Sequence, residues 1–197
     1  MPKIVDHHER RTLIVDALMR VAARDGLEAV SLRHVAAEAG VTTGMVQHYF
    51  RTKEEMMEFA MAVVRERGEA RITEAVGRLG PAPAPRELIR TMITELLPLD
   101  EARRADARVA LAFLAYAAVR PVAAASLRQE TPQLVGFVAD QIRAAQAAGA
   151  AADVDPATAA AGLLAVMEGL GIYLLTEQYA PRTALDALDA QLSRIFG

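Results

Sequence analysis

Cysteine and tryptophan are absent from this chain, and their absence removes several classes of function. Without thiols there is no disulfide framework, no thiolate metal site and no cysteine nucleophile. Long apolar runs are also lacking: no stretch of about 18 residues escapes interruption by a charge or a proline, so no membrane span is expected. Asp6, His7, His8, Glu9, Arg10 and Arg11 break up the segment where a secretory leader would need its apolar core. The HExxH, Walker A and GxSxG signatures are missing too. His7-His8-Glu9 comes nearest to a metal motif, but its histidines lack the i, i+4 spacing of a zinc pair, and it reads as the solvated start of a helix. No catalytic residue, metal or cofactor is expected, and the chain reads as a cytoplasmic protein that is not an enzyme.

What remains is a chain of 197 residues, 53% hydrophobic and only 5% aromatic, with alanine prominent among the apolar residues. That length suffices for one or two compact domains. Ala, Leu, Arg and Glu are strong helix formers, and the composition points to an all-α fold of about nine helices. The net charge of −3 is unevenly spread. Basic side chains outnumber acidic ones in residues 1–53, which also hold all four histidines, while acidic groups dominate the remainder. A basic head on an acidic body fits a module that faces nucleic acid joined to something else.

Punctuation along the chain divides the helices. Met1 to Val5 is expected to be an arm, and Asp6 with Glu9 forms a capping box for helix 1. That helix carries Leu13, Ile14, Ala17, Leu18, Val21 and Ala22 to Gly26, with Leu27 and Val30 anchoring the link beyond. Thr52 to Glu55 is a second capping box. It opens helix 4, whose apolar face is Met56, Met57, Phe59, Ala60, Val63 and Val64. The run Gly80-Pro81-Ala82-Pro83-Ala84-Pro85 cannot continue a helix. Helices from Arg86 to about Leu97, from Asp100 towards Arg120, and from Ala123 to Ala148 follow. Asp155-Pro156 is an N-cap with proline at the first helical position. The helix it starts is apolar nearly all round, the pattern of a helix buried on every side, one of those sides against a partner subunit. The last helix shows Leu185, Leu188, Leu192 and Ile195 at three- to four-residue spacing. Domains are placed at 1–54 and 55–197.

The stretch Ser31 to Lys53 organises the rest. Ser31 is a good N-cap, and Leu32, Val35, Ala36 and Ala39 share one helix face. Gly40 sits where a left-handed C-cap belongs, and Thr42 caps a second helix whose inner face is Met45, Val46 and Tyr49 or Phe50. Two short helices around a glycine turn make a helix-turn-helix, whose second helix fits the DNA major groove. An ordinary helical hairpin within an all-α domain has the same periodicity. On the helix-turn-helix reading, Thr42, Thr43, Gly44, Gln47 and His48 form the exposed set. Gln47 suits a bidentate pair with adenine, Gly44 admits close backbone approach, and Tyr49 and Lys53 reach phosphates.

The residue order then adds a resemblance. SLRHVAAEAGVTTGMVQHYFRTKEEM resembles the DNA-binding signature of TetR-type transcriptional regulators. The likeness rests on Val35-Ala36, Ala39-Gly40-Val41-Thr42, Gly44, Tyr49-Phe50 and Lys53-Glu54, and covers roughly residues 10–60. His48-Tyr49-Phe50 is closest to the BetI-like branch, whereas the commoner pattern has an aromatic where Gln47 stands. Residues 106–117 and 163–175 resemble the BetI-like C-terminal domain. The resemblance implies DNA contacts at Ser31, Arg33, Thr43, Gly44, Gln47, His48, Tyr49 and Lys53. It implies a homodimer through the helices at about 156–178 and 183–196, a palindromic double-stranded DNA operator, and a small-molecule effector held in the C-terminal domain. Candidate effector contacts are Met92, Leu96, Phe113, Tyr116, Phe137, Met167, Glu168 and Tyr173, of which plain core packing is the competing account. Tyr116 and Tyr173 stand out because a buried phenol needs a partner, and Glu168 suits a cationic ligand or an arginine. The function expected is a ligand-responsive repressor. An activator or a regulator answering to a protein partner is the alternative, and a small helical enzyme the remote one.

Overall fold

The computed structural model describes residues 7–26, 29–121 and 123–197. The expected arm, the Asp6 cap and the Leu27 anchor lie outside the described residues. Within them the chain forms nine helices and no strand: α1 (His7–Asp25), α2 (Leu32–Ala39), α3 (Thr43–Tyr49), α4 (Lys53–Gly77), α5 (Pro85–Leu96), α6 (Glu101–Ala118), α7 (Ala124–Ala147), α8 (Pro156–Leu175) and α9 (Pro181–Phe196). Helix α4 runs unbroken through its charged second half, and a last turn closes beyond it with the Leu79 N–H donating to the Val76 carbonyl. Helix α7 continues through Pro132.

Two compact units emerge. Residues 1–67 with 108–123 form one, and residues 68–107 with 124–197 form the other. Compactness thus divides the chain differently from the boundary at 54/55. The first half of α4 and the second half of α6 carry side chains buried with the N-terminal helices, Met56, Met57 and Ala60 on one and Phe113 and Ala117 on the other.

In the first unit, α1 buries Ile14, Ala17, Leu18 and Val21 of the stripe its spacing predicts, while Leu13 is exposed, Ala22 is half-buried, and Val15 is buried in addition. Charged contacts fix its neighbours. Arg20 and Arg24 both reach Glu38 on α2, at 2.7 and 2.9 Å, and Arg67 on α4 reaches Asp16 at 2.6 Å. The Arg11 guanidinium lies over the rings of Phe50 and Phe59, 4.8 and 4.2 Å from their centroids. A planar cation against two aromatic faces joins α1 to the end of α3 and to α4.

The second unit is built on a core of Ile89, Ile93, Leu97, Val138, Ile142, Leu163, Leu170, Leu174, Leu188 and Leu192 from α5, α7, α8 and α9. Each such side chain removed from water contributes about 2 kcal/mol. Asp155 caps α8 as its sequence predicts, its carboxylate accepting from the Thr158 N–H at 2.9 Å and from the Thr158 hydroxyl at 2.5 Å. The Gln146 amide donates to the carbonyls of Ala152 and Val154 and so holds the loop before α8. Arg90 on α5 grips Asp189 on α9 through two hydrogen bonds of 2.6 and 2.9 Å. Asp189 is consequently held below the ordinary carboxylate range, first by the Arg90 hydrogen bond.

Helix α8 departs from the expectation of burial on every side. Ala160, Leu163, Leu164, Leu170 and Leu174 are buried, whereas Ala161, Gly162, Ala165, Glu168 and Ile172 are exposed. The two sets follow helical spacing, so α8 has an inner and an outer face although both are largely apolar. It is long and apolar enough to cross a bilayer by length and composition alone, with a mean hydropathy of 1.7. Glu168 lies in that stretch, and its inner face belongs to the core of the second unit.

Candidate nucleic-acid interface and C-terminal cavity

The local chemistry of Ser31 to Lys53 sets the geometry of the first unit's candidate surface. The Ser31 hydroxyl accepts from the His34 N–H at 3.2 Å and starts α2. Gly40 ends it in the left-handed region (φ 66°, ψ 29°), with the Val41 N–H returning to the Ala36 carbonyl at 3.0 Å. This is the helix-ending motif that a residue without Cβ adopts at least cost. Two residues later the Thr42 hydroxyl accepts from the Met45 N–H at 3.1 Å and starts α3. The turn is therefore fixed by hydrogen bonds at both ends, and α3 leaves α2 in a set direction.

Burial divides α3 into two faces. Val46 and the following Phe50 are fully buried and hold it to the unit. Thr42, Gly44, Gln47 and His48 are exposed together, with Thr43 and Tyr49 half-buried beside them. Met45, expected on the inner face, is 40% exposed instead, because Val46 and Phe50 suffice to fill the space beneath a helix of only seven residues. The His48 and Tyr49 rings meet edge to face at 5.1 Å. Arg33 on α2 is exposed, and Ser31, the N-cap before it, is half-buried. Lys53, half-buried, opens α4. Its turn is tied down locally: the Glu55 N–H donates to the Thr52 hydroxyl at 3.1 Å, and the Glu55 carboxylate accepts from the Arg51 N–H at 2.9 Å. This is a capping box shifted by one residue on its return arm.

Of the candidate effector contacts, Met92, Leu96 and Met167 come together. With Ile89, Ile93, Leu134, Val138 and Leu164 they line a void in the second unit of ≈ 10 Å³, room for about one water. Every lining side chain is aliphatic or a thioether. The other five lie elsewhere. Phe113 and Tyr116, on the second half of α6, are buried in the first unit. Burial, and then the Glu54 carboxylate, push the Tyr116 phenol up, and the Glu54 carboxyl is held down, first by its own backbone N–H and then by the phenol. Phe137 and Tyr173 are both 40% exposed, Tyr173 packing on Tyr179 at 4.7 Å, and Glu168 is exposed on the outer face of α8. Helical spacing cannot say which neighbour a helix face meets, so it does not separate these five from Met92, Leu96 and Met167. The five aliphatic lining residues that sequence reasoning passed over carry no signal that separates them from ordinary core.

Comparison with known proteins adds to this geometry. Residues 14–60 match the family model described as bacterial regulatory proteins of the tetR family. Residues 85–197, more than half the chain, match the model described as BetI-type transcriptional repressor, C-terminal. The HTH-type transcriptional regulator PksA of Bacillus subtilis is 38% identical over 117 residues, covering 59% of this chain and 56% of that protein. The alignments with the curated relatives span about half of those proteins' length. A transcriptional regulator of Rhodococcus sp. Rha1 is 34% identical, with a TM-score of 0.81 over 94% of this chain and 95% of the other. A protein of Saccharomonospora viridis, described as a transcriptional regulator and solved in complex with choline, shares the fold at 22% identity, with a TM-score of 0.82 over 96% and 99% of the two chains.

Proposed function

Since the chain belongs to the TetR family of transcriptional regulators, with a C-terminal part of the BetI type, we propose that it is a dimeric repressor that reads a near-palindromic DNA operator and releases it when a small molecule binds. Residues 1–54 are the reading head, and 55–197 bind the effector and the partner subunit. The observation that carries the reading is the polar outer face of α3. A short helix anchored by Val46 and Phe50 and capped by Thr42 turns Thr42, Gly44, Gln47 and His48 outward together. Such a set suits base edges in the major groove, with Ser31, Arg33, Thr43, Tyr49 and Lys53 flanking it for phosphates and neighbouring bases. The outer face of α8 supports dimerisation. Ala161, Gly162, Ala165 and Ile172 form an exposed apolar stripe of mostly small residues, which admits a second helix closely.

The cavity bears on the effector. A pocket that encloses a small molecule measures some hundreds of Å³, so the ≈ 10 Å³ void would have to widen to hold an effector. An effector that opens it displaces Met92, Leu96 and Met167, the two methionines being the easiest of the lining to rearrange. No aromatic ring and no carboxylate lines it, so it has none of the groups that cage a quaternary ammonium ion. The expected effector is a neutral apolar molecule rather than the choline seen in the Saccharomonospora protein. To release DNA it must prefer the conformation that does not fit the operator.

Selection of genomic fragments bound by the protein, followed by titration of the selected operator against salt, tests the reading. Lys53→Ala should weaken binding similarly on all sequences and lower the salt slope by about one. Wild-type protein that selects no fragment, or a variant with unchanged affinity and slope, would count against it. A promoter-reporter assay gives the sign of regulation, and an activator would raise expression.

A further inference from the structure

Arg11 stands on α1, and its guanidinium meets three side chains around the turn that joins α3 to α4. It lies 4.8 Å from the centroid of the Phe50 ring and 4.2 Å from that of Phe59, and its Nη2 is 3.8 Å from Glu55 Oε1. Phe50 is the C-cap of α3, fully buried, and its N–H donates to the Val46 carbonyl at 2.9 Å. The Phe50 and Phe59 rings lie 5.6 Å apart, so the cation and the two rings form one cluster. The second Glu55 oxygen, Oε2, accepts from the Arg51 N–H at 2.9 Å. One side chain of α1 thus grips the residue that ends α3 and, through Glu55, faces the backbone of the turn into α4.

The rings rather than the ion pair carry this contact. At 3.8 Å, with the two side chains 33% and 42% exposed, the pairing of Arg11 with Glu55 is weak by itself. Both ring centroids lie well inside the ~6 Å over which an aromatic face attracts a cation. A guanidinium is flat and delocalised, so it can cover two rings while one nitrogen faces a carboxylate; a lysine ammonium is a compact point charge that cannot serve all three. The turn has a role of its own in the reading above. Tyr49 ends α3 and Lys53 opens α4, with only Phe50, Arg51 and Thr52 between them. Both are assigned to phosphates, and the conformation of this short turn sets how they stand to each other.

We infer that Arg11 is a positioning residue for DNA binding: it holds Phe50, Phe59 and Glu55 around the α3–α4 turn, so that Tyr49 and Lys53 meet the DNA backbone together. The inference rests on the DNA-binding reading above. Arg11 touches no phosphate on this account. Its effect is preorganisation, which removes an ordering cost from the bound state.

Operator titrations and amide hydrogen exchange on Arg11→Lys test it together. The variant keeps the charge, so a merely electrostatic role would leave binding unchanged. It should instead weaken binding of the selected operator about fivefold, within the range of coupling between contacting groups, and lower the salt slope towards that of Lys53→Ala. In a Tyr49→Phe, Lys53→Ala background, where little is left to position, the further loss should fall below about twofold. The Phe50 and Arg51 amides should exchange faster in Arg11→Lys, while amides in the buried stretch of α1 keep their protection. Phe59→Leu removes the nearer of the two rings, leaves every charge in place, and should reproduce the loss of affinity. Wild-type affinity in Arg11→Lys, or a fivefold loss undiminished in the double background, overturns the inference while leaving DNA binding intact. Loss of protection throughout the first unit overturns it as well, because Arg11 would then support the fold at large. Wild-type protein that binds no selected fragment overturns both readings.

Discussion

Gly40 and Gly44 lie four residues apart, and replacing each by alanine should have opposite effects for reasons visible in the backbone. At Gly40, φ is +66°, and a Cβ there would meet nothing within 4 Å. The cost of Gly40→Ala is therefore conformational alone, about 1 kcal/mol for placing an L-residue in the left-handed region. For a chain of this size that lowers the thermal midpoint by about 2–4 °C. Gly40→Asn should cost less, since asparagine tolerates this region. Gly44 is the second residue of α3, and a Cβ there meets only the Thr42 Oγ1, at an ordinary 3.9 Å. Gly44→Ala should raise stability, by up to about 1 kcal/mol from helix propensity. Yet it places a methyl group on the exposed face proposed to lie against DNA, and operator affinity should fall at least about tenfold. Thermal unfolding followed by circular dichroism, together with fluorescence anisotropy on the operator, separates the two. Destabilisation by Gly44→Ala, or none by Gly40→Ala, would refute the backbone argument. Stabilisation with full DNA affinity in Gly44→Ala would leave the backbone argument intact and remove Gly44 from the contact surface.

Three further outcomes are expected. The wild-type chain should sediment as a dimer at micromolar concentration, and Ala165→Arg on the outer face of α8 should give a folded monomer with weaker operator binding. Leu188, fully buried in the second unit, should cost about 2–5 kcal/mol when changed to alanine, read as a lower urea midpoint at unchanged slope. Asp189 is held below its ordinary range by Arg90. Its pairing therefore stabilises the fold above the unfolded carboxylate value of about 3.9, and that stabilisation is lost as pH falls through the lower folded value. Asp189→Asn should flatten the decline of stability between about pH 5 and pH 2, and an unchanged acid limb would refute the pairing.

The local structure was legible in the sequence wherever one residue type answers one backbone need. Ser31, Thr42, Thr52 and Asp155 cap helices because a short oxygen-bearing side chain reaches an N–H three residues on, and Gly40 ends α2 because a residue without Cβ fits φ > 0. Pro81 to Pro85 interrupts the helices by removing N–H donors. These are interactions between near neighbours, so sequence order alone carries them. The turn and α3, and hence the outline of the candidate DNA surface, follow from them.

Contacts between distant segments were decided only by packing. Sequence spacing gives Tyr116 an apolar helix face and a phenol in need of a partner. That Tyr116 is buried in the first unit, while Met92 and Met167 line the void of the second, depends on which unit the second half of α6 joins. Likewise, the composition of α8 says that it is apolar all round, but only the positions of α5, α7 and α9 determine that Leu163, Leu170 and Leu174 turn inward while Ala165 and Ile172 stay exposed. Hydrophobic burial is not directional: it rewards covering an apolar surface whatever covers it. The sequence by itself therefore determined the helices, their caps and the helix-turn-helix, and the tertiary structure alone decided which apolar face meets which neighbour.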